Sequence, residues 1–473
     1  MAMCYPSPYR VGMSSLGYQW ITMRLREAGI AAERAFLPDD PKSWRARSTP
    51  PFTYETRTAI SHFPILGVSL AYELELAGLL ELLDLAGIPV LREDRGPSDP
   101  VILLGGPLTM ANPLCAAPFV DAMILGEADD VIAPAVSCFF DADSREGWLD
   151  ALAALPGSYI PERHGIDVPA PTRSSDDSLP ARSSWLSPDA ELSDMFLLEG
   201  ERGCHRQCTF CVMRRSSALG GMRLVTPERI LSFIPEDAHK VGLVGAAISD
   251  HPQIVELLEQ LVHDGRQVSL SSLRADRLVV RPRMTELLRR SGARTLTVAS
   301  DGASERLRGE IMKKTKESHL QTVAAQARAH GFRTLKVYMI LGLPGETDAD
   351  IEELVAFSRE LAEIAKPTRV ALGVAPFCAK RNTPLDGAPY AGIKTVDRRM
   401  RLLQRGLKGR VEVRPASSRW AWVEHEMAQR GPDVGLAVLR AWRNGGRFAD
   451  YRRELEALDP DTRRPWATRI TAA

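Results

Sequence analysis

The sequence has no excess of either charge: Lys plus Arg number 60 and Asp plus Glu number 60, for a formal net charge of zero. No global field therefore recruits nucleic acid or an anionic membrane, and partners drawn by a basic or acidic tail lose their support. Also missing is any uninterrupted apolar run of the ~18 to 20 residues that a membrane span requires. The opening Met1-Ala2-Met3-Cys4-Tyr5-Pro6 has no basic stretch followed by an apolar one. A soluble, cytoplasmic protein with no membrane partner is expected. Cysteine is scarce, at seven residues in 473, and an odd number so thinly spread excludes a secreted disulfide framework. Apolar residues are plentiful at 44%, enough for buried cores, so whole-chain disorder is excluded. At roughly 150 residues per domain the length suggests about three domains.

The fold class is α/β. Residues 1–135 alternate short apolar runs with helical patterns ending in Gly, the rhythm that builds a parallel, Rossmann-like sheet. Its runs at 65–70, 101–106 and 122–127 end in small or polar residues, where an open α/β sheet places its ligand crevice. Residues 136–195 shift toward Ser, Pro, Asp and Arg and read as a linker with little core of its own. From 196 to 388 six apolar runs, beginning at Phe196, Val241, Val268, Thr295, Thr334 and Arg369, alternate with helical patterns and predict a partial (β/α)6 barrel. Residues 389–473 turn mainly helical and Arg-rich, with Trp420, Trp422 and Trp442 as packing anchors. A solvated helix face accounts for the arginines of 398–410, and no RNA-binding module is recognisable, which argues against a nucleic-acid partner.

Three of the seven cysteines, Cys204, Cys208 and Cys211, fall within eight residues on a loop that follows a strand. Thiolates so close together can converge on one inorganic cluster, since iron-sulfur centres are held by cysteine sulfur. Four such ligands would close the site; three leave one iron open, and an open position separates reactive from structural metal sites. The alternatives are zinc, with His205 or a distant side chain as fourth ligand, or a closed cluster completed by Cys378. Zinc sites usually pair their cysteines in two separated knuckles, and His205, wedged between cluster cysteines, is expected to be exposed.

On these residues the chain resembles the radical SAM enzymes, from Phe196 to about Leu385. The resemblance implies that Cys204, Cys208 and Cys211 hold a 4Fe-4S cluster, with Phe210 shielding it. It further implies that the open iron is chelated by S-adenosylmethionine, and that an electron from the cluster cleaves the sulfonium to a 5′-deoxyadenosyl radical. An external electron donor of flavodoxin or ferredoxin type is implied as well. Gly245 and Ser249, at the end of the second barrel strand, match the stretch that binds the methionyl amino group in relatives. Ser272 and Arg274 end the third strand, where Arg suits a carboxylate or ribose contact. Asp301 and Ser304 end the fourth, where relatives carry a longer Glu toward the ribose. Gly342 opens the turn Gly342-Leu343-Pro344-Gly345-Glu346-Thr347, which in relatives approaches the adenine; a plain strand-to-helix turn capped by Thr347 is the alternative. Pro376 to Leu385 resembles the sixth-strand element, except that Cys378 and Ala379 stand where Val and Pro are usual. Cys378 is thereby a candidate catalytic group, as a hydrogen donor or sulfur nucleophile, with a small buried hydrophobe as the plain alternative.

Residues 5–130 resemble the cobalamin-binding domain of one large radical SAM class, with Ser69, Gly105 and Gly106 matching the strand ends that lie against a corrin. The family's Asp-x-His-x-x-Gly element is absent, so no axial imidazole comes from this loop; a degenerate domain retained for packing is the other reading. The resemblance implies hydrogen abstraction from an unactivated carbon of a small molecule or peptide, with cobalamin-dependent methylation as one outcome. Cobalamin-independent sulfur insertion, rearrangement or elimination is the alternative, and a non-catalytic metal-binding or electron-transfer protein is the competing class.

Overall fold

The computed structural model describes residues 1–459, apart from the side chains of residues 215–218. The chain divides into two compact units, one formed by Met1–Asp194 with the residues from Glu426 onward, the other by Met195–His425.

The first unit is built on a six-stranded sheet of β1 (Ala2–Tyr5), β2 (Glu33–Phe36), β3 (Ile65–Ser69), β4 (Val101–Gly105), β5 (Ala122–Ile124) and β6 (Ser158–Tyr159), in the order β2-β1-β3-β4-β5-β6. The first five are mutually parallel and β6 runs antiparallel to β5. Near-continuous apolar runs such as Ile65-Leu66-Gly67-Val68 suit strands buried on both faces. In the following helix, Leu76–Leu85, the buried leucines at 76, 79, 80 and 83 form one stripe at helical spacing.

The stretch expected to be a linker is not one. It forms helices Ile132–Asp141 and Arg145–Ala153 and then β6, and its Trp148, Leu149, Leu152 and Ile160 belong to the same core as Ile65 and Leu103. Trp148 is fully buried with its indole donating to the Ala135 carbonyl at 3.0 Å. Apolar residues at helical spacing were diluted by polar neighbours, so composition understated the core. The C-terminal helix Pro432–Arg443 also belongs to this unit. Gly435 packs so closely on Cys115 that a Cβ would sit 2.3 Å from its carbonyl oxygen, and the Trp442 indole donates to Glu81 at 3.0 Å. Trp420, by contrast, is exposed rather than an anchor.

The second unit carries the barrel. Parallel strands β7 (Met195–Glu199), β10 (Lys240–Val244) and β11 (Gln267–Leu270) form one sheet in the order β11-β10-β7, while β8 (Glu201–Arg202) and β9 (Arg223–Leu224) make a small antiparallel pair. A second parallel sheet runs β12 (Thr295–Asp301), β13 (Thr334–Leu341), β14 (Arg369–Pro376) and β15 (Glu412–Pro415). The six expected barrel strands are all present. The seventh, β15, extends the sheet within the region expected to be mainly helical; it is short, polar and exposed, so it carried no hydrophobic signal. No helix among the described residues is long and apolar enough to cross a membrane.

Candidate active site

At the carboxyl ends of the barrel strands lies a cavity lined by Cys204, Cys208, Cys211, Arg274, Lys313 and Tyr338, together with the Ala246-Ala247 turn after β10. The loop bearing the cysteines is held from three sides. Arg206 makes a bidentate pair with Asp250, at 2.7 and 2.6 Å. The Thr209 N–H donates to the Ile311 carbonyl at 3.1 Å, and the Thr209 carbonyl accepts from Leu385 N at 3.3 Å. Burial would raise the Asp250 carboxyl, but Arg206 and Arg277 hold it below its ordinary value, so it anchors the loop as an anion. The Arg206 N–H reaches the Cys204 sulfur at 3.4 Å.

All seven cysteines are thiols rather than disulfides. Burial pushes the Cys204 and Cys211 thiols up, and metal coordination is what would bring them down to thiolates. Three thiols on one cavity wall suit a polynuclear cluster, in which each thiolate takes a different iron. His205 is exposed.

Opposite charges flank this wall. Lys313 is buried at 8% exposure and its ammonium meets Asp301 at 2.5 Å. The turn that presents it is unusual: Met312 and Lys314 both take a φ of +58°, a left-handed conformation that side chains rarely adopt. Buried Arg308 ties that turn down by donating to the Thr315 carbonyl at 2.8 Å, while its own carbonyl accepts from Lys313 N at 2.9 Å. Arg274 donates to the Lys313 carbonyl and to Asp276, each at 3.0 Å. Two cations thus face the cavity in fixed positions.

Behind the Ala246-Ala247 turn sits Glu201. Its Oε1 accepts from Ala247 N at 2.6 Å, and Oε2 is buried without a hydrogen-bond partner. A Cβ on Gly245 would lie 2.4 Å from Oε1, so only glycine admits the carboxylate here. Burial raises the Glu201 carboxyl to about 7 against the Ala247 hydrogen bond. The folded chain therefore holds a proton that the unfolded chain, ionising near 4.5, has released. Stability supplied by that proton is full below about 4.5 and lost as pH rises to about 7. Glu201→Gln is expected to flatten this part of the urea-unfolding profile, on the order of 1–3 kcal/mol; an unchanged slope between those pH values would contradict the assignment.

The expected cofactor residues divide sharply. Ser272 and Arg274 line the cavity, and Ser272 donates to the Gly245 carbonyl at 3.0 Å. Gly245 contributes through the space it leaves. Ser249 is fully buried and accepts from Arg274 N at 3.2 Å, so it positions the arginine from behind. Asp301 does not line the cavity; it holds Lys313, which does. Ser304 is the N-cap of helix Glu305–Glu310 and donates to Asp350 at 2.5 Å. Gly342, at a φ of +86°, gives its N–H to Glu346 at 2.8 Å, closing the turn on itself. Cys378 lies outside the cavity lining, its thiol donating to the Ala421 carbonyl at 3.1 Å.

Lys313, Glu201 and Tyr338 were missed by reading the sequence. The Tyr338 ring lies over Gly373, and its hydroxyl accepts from Lys336 Nζ at 2.8 Å. Alternation along β13 puts Lys336, Tyr338 and Ile340 on one face, a signal that period-two reading could have found.

A cysteine-lined cavity at the mouth of a parallel α/β barrel, preceded in sequence by a second parallel α/β unit, defines a class. Two family models match the chain: "Radical SAM proteins, N-terminal" over residues 17–161 and "Radical SAM superfamily" over residues 200–358. The chain belongs to the radical SAM superfamily. The uncharacterized protein MJ0966 of Methanocaldococcus jannaschii is 26% identical over 394 residues, 82% of this chain and 79% of that protein. The GTP 3′,8-cyclase of Marinobacter nauticus is 24% identical over 161 residues, 33% of this chain and 48% of that enzyme. Among solved structures, the cobalamin-dependent S-adenosylmethionine radical enzyme OxsB with aqua-cobalamin bound superposes with a TM-score of 0.53 at 13% identity, covering 78% of this chain and 53% of that one. This chain thus spans about half the length of OxsB, and the likeness is one of fold.

Proposed function

We propose that the chain reductively cleaves S-adenosylmethionine at a 4Fe-4S cluster and uses the resulting radical to modify an unactivated carbon of a small molecule or peptide. The observation that carries this reading is the meeting of Cys204, Cys208 and Cys211 with Arg274 and Lys313 around one cavity. These residues fit the two groups the family uses: thiols for three irons, and buried cations for the carboxylate of a zwitterionic cosubstrate. The orphaned Glu201 oxygen behind the Ala246-Ala247 turn adds a buried polar acceptor beside that cavity wall.

When bound, the cluster supplies the electron that splits the sulfonium to a 5′-deoxyadenosyl radical, which is cofactor chemistry. The chain's own residues do the rest. Arg274 and Lys313 bind and orient, Phe210 joins the apolar cluster of Ile311, Leu343 and Phe377 and keeps water from the cysteine loop, and Tyr338 with Lys336 meets the substrate on the inner barrel face. An external flavodoxin- or ferredoxin-type donor supplies electrons, and a reducing, cytoplasmic setting suits the seven thiols. Cobalamin-dependent methylation is one outcome; the likeness to OxsB, a cobalamin-dependent enzyme, bears on the corrin and not on the reaction. Sulfur insertion, rearrangement and elimination need no corrin, so the choice turns on whether the N-terminal crevice is open to one. Cys378 would take part only after leaving its bond to Ala421.

The test is anaerobic reconstitution with iron and sulfide, reduction, and electron paramagnetic resonance with and without S-adenosylmethionine. A cluster signal that shifts on adding the sulfonium, together with 5′-deoxyadenosine in the products, is expected. A signal indifferent to the sulfonium would instead support a closed electron-transfer site.

A further inference from the structure

We infer that the crevice of the N-terminal α/β unit, where the family resemblance places a corrin, is filled by this chain's own backbone, so that the enzyme works without cobalamin. Ser69 and Gly105, which end β3 and β4, and Gly106 are the residues expected to lie against a corrin, and the Gly126-Glu127 pair stands just beyond β5. Each of these strand ends is tied to another part of the same unit. After β3, Leu70 N donates to the Gly105 carbonyl at 3.0 Å, and the Leu70 carbonyl accepts from Leu108 N at 3.1 Å. Gly106, at a φ of +98°, lies so close to that residue that a Cβ would sit 2.5 Å from the Leu70 oxygen. Gly126 N donates to the Thr109 hydroxyl at 3.3 Å, joining the ends of β4 and β5.

A strap closes what remains. Residues 171–178 run alongside 125–130: Thr172 N donates to the Leu125 carbonyl at 2.8 Å, and the Thr172 carbonyl accepts from Glu127 N at 3.0 Å. Gly126 and Thr172 form a parallel bridge, and a Cβ on Gly126 would lie 2.4 Å from the Thr172 oxygen. The Glu127 carboxylate accepts from both Ser174 N and Ser174 Oγ, at 3.0 and 2.8 Å, and Asp130 accepts from Ser175 N at 2.6 Å. Thr172 and Ser174 are buried, at 6% and 1% exposure.

The glycines of this crevice therefore admit backbone, as a ligand site would require, but the backbone is the chain's own. Main chain held by hydrogen bonds at both strand ends cannot step aside as a flexible side chain does. A corrin would have to break these bonds and leave their buried donors and acceptors unpaired. Gly105 alone has open space where its Cβ would be, and one open glycine does not make a corrin face. The carbon modification proposed above is then of the corrin-independent kind, and this inference rests on that proposal only for its chemical consequence.

The test is binding, not turnover. Full-length protein, with its iron–sulfur cluster reconstituted, is incubated anaerobically with hydroxocobalamin and desalted; corrin absorbance and cobalt content are then read. No retained cobalt is expected, and a stoichiometric amount overturns the inference. Hydrogen exchange supplies an independent readout. The amides of Glu127, Thr172, Ser174 and Ser175 are expected to be protected and unchanged by the corrin, whereas fast exchange at the strap, or its release on adding corrin, contradicts the closure. Neither readout depends on sulfonium cleavage, so failure here is distinguishable from failure of the radical reading, which would show in the absence of 5′-deoxyadenosine.

Discussion

Replacing any one of Cys204, Cys208 and Cys211 with Ala is expected to abolish 5′-deoxyadenosine formation and to lower the iron retained after anaerobic reconstitution. On the proposed reading the three thiols, which line one cavity with Arg274 and Lys313, are the cluster's protein ligands, and a cube held by two would not keep its open iron there. The same substitutions are expected to leave both units folded, because the loop is fixed by other bonds: Arg206 to Asp250, and Thr209 to Ile311 and Leu385. The control that gives the result meaning is Cys378→Ala. Its thiol is bonded to Ala421 away from the cavity, so iron content should match the parent. If Cys378→Ala lost iron as severely as the three loop variants, the fourth ligand would be Cys378 and the site would be closed. If a loop variant kept both its iron and its deoxyadenosine, the assignment of that cysteine would be wrong.

Much of this was legible in the sequence, for identifiable reasons. A strand buried on both faces, such as Ile65–Ser69, advertises itself as an apolar run, and one that alternates, such as Thr334–Leu341, still carries enough apolar residues to be read, so the order of barrel strands could be read directly. The cysteine spacing is local and survives any uncertainty about tertiary structure. What stayed hidden was set by distant contacts. Strand β15 is exposed and paired on one side only, so nothing apolar marks it. The helices of the expected linker gain their core by packing Trp148 against the N-terminal sheet, which composition cannot foresee. Helix Pro432–Arg443 joins a unit more than 300 residues earlier in the chain through Asn112, whose side chain donates to the Met427 and Arg430 carbonyls just ahead of it.

The site shows the same division. Asp301, Ser249 and Ser304 were recognised as polar residues at strand ends; Asp301 does end β12, while Ser249 and Ser304 stand in the turns beyond β10 and β12, and each acts through another group, on Lys313, Arg274 and Asp350 respectively. A motif identifies the position of a residue and not the direction of its hydrogen bonds. Lys313 could not be singled out among 60 basic residues, because its importance arises from a turn whose two flanking residues adopt left-handed φ.

Lys313 accordingly supports the second large prediction. Asp301 and Lys313 form an ion pair at 2.5 Å, with side-chain exposures of 13% and 10%, and removing one member of so buried a pair leaves the other charge uncompensated. Asp301→Ala is expected to destabilise the barrel unit by ~3–5 kcal/mol. Lys313→Met should have a similar cost and, in addition, remove a cation from the cavity, weakening S-adenosylmethionine binding by roughly ten- to a hundredfold if a charged hydrogen bond of ~1.5–3 kcal/mol is lost. Asp301→Asn separates the two effects, since it keeps a polar partner for the ammonium while removing the opposing charge. It should recover part of the stability lost in Asp301→Ala and bind the sulfonium more tightly than Lys313→Met. Equilibrium dialysis of the reconstituted variants, normalised to iron content, reads the affinity, and urea unfolding reads the stability. Should Lys313→Met bind the sulfonium as the parent does, Lys313 would be a structural cation only, and Arg274 would be left to meet the carboxylate from its bonds to Asp276 and the Lys313 carbonyl.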